Sequence, residues 1–118
     1  TETKIGEVIV AANSANTRLI IIAGIRFNHT TSSQNGTGTF RIRTGTSATA
    51  TSNTQRISKD LSLVSGTAGV GQGVTGGVIM ATVTTSDESF TSQLYVHVTG
   101  INNSFGTLDC DFIYVLGI

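Results

Sequence analysis

The stretch from Arg18 to Phe27 (RLIIIAGIRF) is apolar on both sides of the β-strand that it predicts. Successive side chains of a strand point to opposite faces. One face therefore carries Leu19, Ile21, Ala23, Ile25 and Phe27, and the other carries Ile20, Ile22, Gly24 and Arg26. A strand with one face in water shows a polar residue at every second position, whereas this one shows none before Arg26. We therefore predict that it is covered on both sides, by the second sheet of its own fold and by a neighbouring copy of the chain.

The chain carries few charges for its size. Charged residues make up 12% of the 118 residues, about half the share of an average soluble domain. Seven Lys and Arg balance seven Asp and Glu, so the basic surface that nucleic acid or an anionic membrane attracts is absent. No apolar run is long enough to cross a membrane as a helix. We expect no nucleic-acid partner and no membrane insertion, and a neutral surface suited to an oligomer or a rigid particle.

Seven segments show strand-like patterns between turn signals, and proline is absent. They are Lys4–Val10, Arg18–Phe27, Thr39–Thr44, Ile57–Val64, Val78–Thr85, Phe90–Thr99 and Leu108–Leu116. Ile57–Val64 also fits one face of a helix, but its neighbours favour a strand. Residues 45–53 and the glycine-rich residues 66–77 are predicted as loops. The pattern predicts an all-β fold over residues 1–118, a single domain built as an antiparallel β-sandwich or jelly roll of seven to eight strands.

The last segment also ends the chain, and its alternation places Leu108, Cys110, Phe112, Tyr114 and Leu116 on one predicted face. Chain ends are usually loose, so a terminal segment of strong strand character is expected inside a sheet. The early strand, the following TFRIRT strand, the glycine-rich connection and this terminal strand together resemble the trimeric jelly-roll family of tumour necrosis factor, the complement globular heads and viral spike, fibre or needle heads. That resemblance implies a homotrimer, with the last strand in the sheet that faces the three-fold axis.

The neutral, proline-free sequence, rich in Thr, Ser and Gly, is most similar in style to the viral and phage branch of that family. The resemblance implies a location on the virion surface, with capsid or tail proteins of a virion as partners and a host receptor or glycan as a further possible partner. No coiled-coil, β-helix or collagen-type stalk pattern is present. Either a stalk has been cut away from an attachment head, or the chain is a free-standing capsid decoration or cement protein, and the second alternative is marginally favoured. The interface or core of the trimer is assigned to Ile20, Ile22, Ile113, Tyr114 and Val115.

Motifs that could carry chemistry have plainer interpretations. Residues 71–76 match G-x-G-x-x-G, but no helix follows to bind a phosphate, so the segment is predicted as a loop whose glycines permit a positive φ or a close approach between chains. Asp109 and Asp111 could bind Ca²⁺, although solvent exposure or pairing with Arg26 is the more common role for flanking acids on a strand. No nucleophile elbow is present. We therefore expect no catalytic residue, no metal ligand, no cofactor and no enzymatic activity.

The two histidines and the single cysteine do not form a zinc-binding pattern. His29 is predicted in a polar loop, and His97 is expected to be partly exposed, with a place on a three-fold axis beside Tyr95 as the alternative. Cys110 is predicted as a buried, inert thiol.

A second function of a different class rests on a predicted turn. Asn102, Asn103 and Phe105 combine amides with an aromatic ring, which is the chemistry that binds a sugar or a partner. Arg41 and Arg43 face outward on their predicted strand and are further candidates for partner or glycan contact. The alternative function is therefore a soluble carbohydrate-binding lectin module, although packing of Phe105 over the end of the core is also open.

Overall fold

The computed structural model describes residues 1–29, 35–63 and 73–118. It contains two antiparallel sheets that pack face to face, as the sequence predicts. The strands are β1 (Glu2–Val10), β2 (Arg18–His29), β3 (Gly36–Gly45), β4 (Thr54–Leu63), β5 (Gly73–Thr84), β6 (Leu94–Ser104) and β7 (Gly106–Gly117), with a short 3-10 helix at Ala50–Ser52. One sheet has the order β1-β6-β3-β4 and the other has the order β5-β2-β7. Within the described residues, no helix is long and apolar enough to cross a membrane.

The chain passes from one sheet to the other at every connection except that between β3 and β4. Most strand pairs are therefore distant in sequence; β1 pairs with β6, and β2 lies between β5 and β7. The molecule measures 54 × 23 × 18 Å along its principal axes. β2 is the middle strand of the three-stranded sheet. One of its faces points toward the other sheet, and the opposite face lies on the outer surface of the molecule.

The core lies between the two sheets and draws most heavily on β2. Its buried residues include Leu19, Ile21, Ala23, Ile25 and Phe27 of β2, Phe40 and Ile42 of β3, and Leu94, Val96 and Val98 of β6. This confirms the inward faces predicted for these strands from their alternation. Ile20 and Ile22 lie on the opposite face of β2, outside the sandwich.

A β-bulge in β7 changes the faces that the sequence predicts for that strand. Gly24 pairs with Phe112, but the next residue, Ile25, pairs with Cys110, so Asp111 is an extra residue. A bulge places two residues opposite one and reverses the alternation beyond it. The single face predicted from Leu108 to Leu116 is therefore wrong, because it divides at Asp111.

On the N-terminal side of the bulge, Leu108 and Cys110 pack against the core. On the C-terminal side, Ile113 and Val115 pack against the core, while Phe112, Tyr114 and Leu116 point outward. Ile113 and Val115, assigned from the sequence to the trimer interface or core, thus lie within their own sandwich. Tyr114 lies on the outer surface.

Several predicted loops are shorter than expected. The ambiguous segment after residue 56 forms β4, which confirms the strand interpretation up to Leu63. Gly73, Gly76 and Gly77 belong to β5, so the loop prediction is wrong for residues 73–77. The rest of the predicted glycine-rich loop, residues 66–72, lies outside the described part of the chain, as do residues 30–34.

The predicted surface loop at residues 45–53 covers part of the outer face of the four-stranded sheet. Ala50 and Asn53 are buried there, although the segment is polar and small in composition. The Asn53 amide donates to the Ser47 carbonyl at 2.8 Å, and its Oδ1 accepts from the Ser47 N–H at 3.1 Å. This pair of bonds closes the loop over the sheet.

Candidate assembly surface

The outer face of the three-stranded sheet is built from level rows of residues across β7, β2 and β5. One row holds Leu116, Ile20 and Thr82, the next holds Tyr114, Ile22 and Met80, and the third holds Phe112, Gly24 and Val78. We call this surface the apolar face, defined by Ile20, Ile22, Gly24, Val78, Met80, Phe112, Tyr114 and Leu116. With strands about 4.8 Å apart and alternate residues about 7 Å apart, the three rows cover about 300 Å² in projection.

The large side chains of the apolar face are open to solvent in the single chain. Tyr114 is 68% exposed, Leu116 59%, Val78 56%, Met80 55% and Phe112 40%. Ile20 and Ile22, in the middle strand, are partly buried by these neighbours. An apolar patch of a few hundred Å² matches the largest patch on a typical monomer, and such patches are often functional.

Gly24 has a specific role in the centre of the apolar face. A Cβ atom at this position would lie 2.3 Å from Cε1 of Phe112, so the Phe112 ring occupies the space above the glycine. The ring centroids of Phe112 and Tyr114 are 5.3 Å apart in a tilted arrangement. Because Gly24 has no side chain, the Phe112 ring can lie across β2 and cover this position with apolar surface.

A charged group borders the apolar face at one end. Arg26, the next outward residue of β2, lies 3.1 Å from Asp111 Oδ1 and 3.6 Å from Asp109 Oδ2 through its Nη2 atom. Its Nε also donates to Asp111 at 3.2 Å. This confirms the pairing with Arg26 predicted for the two acids. All three side chains are partly exposed, so the ion pairs contribute little stability. One arginine with two aspartates leaves a net charge of −1 on this group.

The outer face of the four-stranded sheet is different, because its charged side chains are paired with one another. Glu2 of β1 reaches across β6 and accepts hydrogen bonds from Arg41 at 2.8 Å, Arg43 at 3.0 Å and Thr99 at 2.6 Å. Arg43 also donates to the Asn53 carbonyl at 2.8 Å. The hydrogen bond from Arg43 is the main cause that lowers the pKa of Glu2 from 4.5 to about 2.

Arg41 and Arg43 were candidate partner or glycan contacts, and the structure places both in this internal cluster. Arg41 donates a further, longer bond to Ser58 at 3.5 Å. Their side chains are 26% and 14% exposed, respectively, and both guanidinium groups are ion-paired with Glu2.

His97 lies on the same outer face of β6 but is fully buried, which contradicts the prediction of partial exposure. Its Nε2 lies 2.9 Å from Glu7 and its Nδ1 lies 3.2 Å from the Asn53 amide. The covering loop at residues 45–53 explains the burial. Hydrogen bonds from Lys4, then from His97, lower the pKa of Glu7.

His29, predicted in a loop, is the last residue of β2 and is buried. Its ring stacks on Phe27 with centroids 6.3 Å apart. Among the described residues, neither ring nitrogen has a hydrogen-bond partner. No three His, Cys, Asp or Glu residues within that part of the chain lie close enough together to hold a metal ion.

The turn between β6 and β7 carries the candidate glycan contacts. Phe105 has a positive φ of 52° and is 45% exposed. The Asn102 amide donates to the Gly106 carbonyl at 2.5 Å, and the Asn103 amide donates to the Thr39 hydroxyl at 2.8 Å. The Asn102 amide therefore supports the turn itself, the Asn103 amide binds to β3, and the Phe105 side chain is partly open to solvent.

Cys110 is half-buried against the core and carries a free thiol. Burial raises the pKa of this thiol, and a 3.5 Å bond to the Phe112 carbonyl opposes that shift. The prediction of a buried thiol is therefore wrong in degree, because the side chain is only partly buried. A raised pKa reduces the thiolate fraction near neutral pH.

Sequence reasoning found the middle strand of the apolar face but missed most of its flanks. Strict alternation along β7 places Phe112 and Leu116 on the same face as Leu108 and Cys110, because it does not include the bulge. The sequence pattern of β5 did not identify Val78 and Met80 as exposed residues. The available signal was the lack of polar alternation in Val78–Thr85, which resembles that of β2. Two neighbouring strands with this pattern indicate an outer face that is apolar as well as an inner one.

No protein-family model and no curated protein matches the chain. Two solved structures are similar to it at a low level. One is the structure of the infectious bursal disease virus Gx strain, with 18% identity and a TM-score of 0.34 over 99% of this chain and 28% of that chain. The other is a mutant VP2 protein of the same virus from derived T=1 particles, with 8% identity and a TM-score of 0.33 over 97% of this chain and 28% of that chain. The chain thus spans 28% of the length of each, and matches at this level carry no inference about function.

Proposed function

We propose that the protein is a non-enzymatic structural subunit of a virion surface, and that it assembles as a homotrimer through the apolar face. In this role it acts as a capsid decoration or cement protein, or as the head of a receptor-binding spike or fibre. The observation that carries the proposal is the exposure of the apolar face on an otherwise well-packed sandwich.

The energetic reason is the amount of apolar side chain that a partner could remove from water. Fully burying one large apolar side chain stabilises by about 1.5–3 kcal/mol, so burying the exposed half of five such side chains is worth about 5 kcal/mol per copy. The five are Val78, Met80, Phe112, Tyr114 and Leu116. A face of this kind left in water would instead promote non-specific association.

Copies of the same chain are the partner that the charges favour. The group that borders the apolar face, Arg26 with Asp109 and Asp111, is already ion-paired within one copy. The chain as a whole has no net charge. A partner therefore needs no strong opposite charge, and an identical neutral face satisfies the requirement.

The virion location and the three-fold symmetry rest on the resemblance of the sequence to the viral branch of the trimeric jelly-roll family. The all-β sandwich and the outward position of Tyr114 on the last strand agree with that resemblance. The low charge and the Ser- and Thr-rich surface suit a rigid particle component.

The test of assembly is native mass spectrometry of the chain at micromolar concentration. We expect one species near three times 12.2 kDa, and a stable monomer would contradict the proposal. Binding to purified empty capsids, compared with binding to host cells, then separates a decoration protein from an attachment head.

A carbohydrate-binding module remains the second candidate, because Phe105 exposes part of its ring at a turn. A glycan array with the wild-type protein and the Phe105→Ala variant tests it. Binding that the variant loses would support this function, and an array without signal would remove it.

A further inference from the structure

The two flanks of the apolar face differ in size. The β7 flank presents the large side chains of Tyr114 and Leu116, which are 68% and 59% exposed, and the Phe112 ring, which lies over Gly24. The β5 flank presents the smaller row ends Gly76, Val78 and Thr82 around a single long side chain, Met80. Well-packed interfaces join surfaces of complementary shape. A bulky flank therefore fits a small flank better than it fits a copy of itself.

This difference disfavours contacts in which a flank meets the same flank of another copy, and it favours contacts between the β7 flank and the β5 flank. A two-fold dimer with antiparallel strands sets the β7 flank against the β7 flank, which crowds one side and leaves the β5 side empty. A closed ring uses a heterologous contact, in which one patch meets a different patch on the next copy. Resting on the proposed trimer, we infer that the β7 flank of each copy docks on the β5 flank of the next, with Tyr114 packed against Met80.

The rows set the register of this contact. Tyr114, Ile22 and Met80 form one row in each copy, and a three-fold axis that runs along β2 keeps equivalent rows at the same height. Tyr114 of one copy therefore meets Met80 of the next, which is a favourable pairing of sulfur with an aromatic ring. The same symmetry brings the three groups of Arg26, Asp109 and Asp111 to one level, each with a net charge of −1. Their side chains are partly exposed, so water and salt screen the repulsion between copies.

The test is disulfide crosslinking between Met80→Cys and Tyr114→Cys in a Cys110→Ser background. Within one copy the two positions lie on either side of β2, about 10 Å apart. A disulfide requires Cα atoms within about 7 Å, so any link must join two copies. We expect mild oxidation to give a covalent trimer on a non-reducing gel, and each single-cysteine variant to stay uncrosslinked.

Three results would overturn the inference. The first is a covalent dimer from the Tyr114→Cys variant alone, and the second is a covalent dimer without any covalent trimer from the double variant. The third is the absence of crosslinking in a double variant that is folded by circular dichroism and trimeric by native mass spectrometry. In the last case the homotrimer would stand and only its packing would be wrong. A wild-type monomer, in contrast, would remove the proposed function itself.

Discussion

Replacing Ile22 with Asp tests the apolar face at its centre. Ile22 lies in the middle strand between Tyr114 and Met80, and it is partly exposed in the single chain. A carboxylate there can keep contact with water as long as the chain is monomeric. In the trimer it would lie between copies, without a cationic partner in its own row.

The expected effect is therefore large on assembly and small on folding. Burial of an unpaired ion costs several kcal/mol. At about 3 kcal/mol per copy the trimer loses about 9 kcal/mol, which lowers its association constant by more than about six orders of magnitude. Unfolding of the monomer should change by only about 1 kcal/mol, within the range of ordinary single substitutions.

Two matched variants separate these effects. Ile21→Asp places the same charge on the inner face, where the side chain is fully buried, and should prevent folding. Ser62→Asp places it on an exposed position of β4 and should leave the trimer intact. Native mass spectrometry and denaturant unfolding measure both quantities. If Ile22→Asp gives a trimer as stable as the wild type, the apolar face is not an interface.

Three further predictions concern single groups. The low pKa of Glu2 means that its contacts stabilise the fold fully above pH 4.5, and that this stabilisation is lost as the pH falls toward 2. In denaturant titrations, Glu2→Gln should therefore destabilise the protein by about 2–3 kcal/mol at pH 7 and by almost nothing at pH 2. An equal effect at both pH values would contradict the ionic explanation. Gly24→Ala should displace the Phe112 ring and destabilise by about 1–3 kcal/mol, with a smaller penalty when Phe112 is already Ala, as a double-mutant cycle in urea would show. Cys110 should react with a thiol reagent more slowly in the folded protein than in urea, because burial raises its pKa; equal rates would refute this.

The sandwich could be predicted because strand alternation is a local property of the sequence. The inward residues of β2, β3 and β6 follow from their period of two, and turn signals separate the segments. The order of strands in the sheets is set by contacts that are distant in sequence, such as β1 with β6, and no local pattern specifies them. This is why the fold class followed from the residues while the pairing did not.

The errors at the candidate site have two physical causes. The bulge at Asp111 moves one residue out of register and reverses which side chains of β7 point outward, and the run LDCDFIYVL contains no glycine or proline that would mark it. The burial of His97 depends on the loop that folds back over it, through Asn53 and Ser47. Both effects arise from tertiary contacts that alternation does not encode.

The distribution of charge supports an assembly in which each copy has a fixed inside and outside. Of the seven basic and seven acidic residues, only Arg18, Arg26, Asp109 and Asp111 lie in the three-stranded sheet. Between Arg18 and Arg26, no outward position of that sheet carries a charge, whereas the outer face of the four-stranded sheet holds the paired cluster around Glu2. Water favours the charged face and disfavours the apolar one, so copies that bring their three-stranded sheets together leave every four-stranded sheet outward. In such an assembly the surface in contact with water carries charged side chains that are paired within each copy, and the contact between copies depends on the rows centred on Ile22.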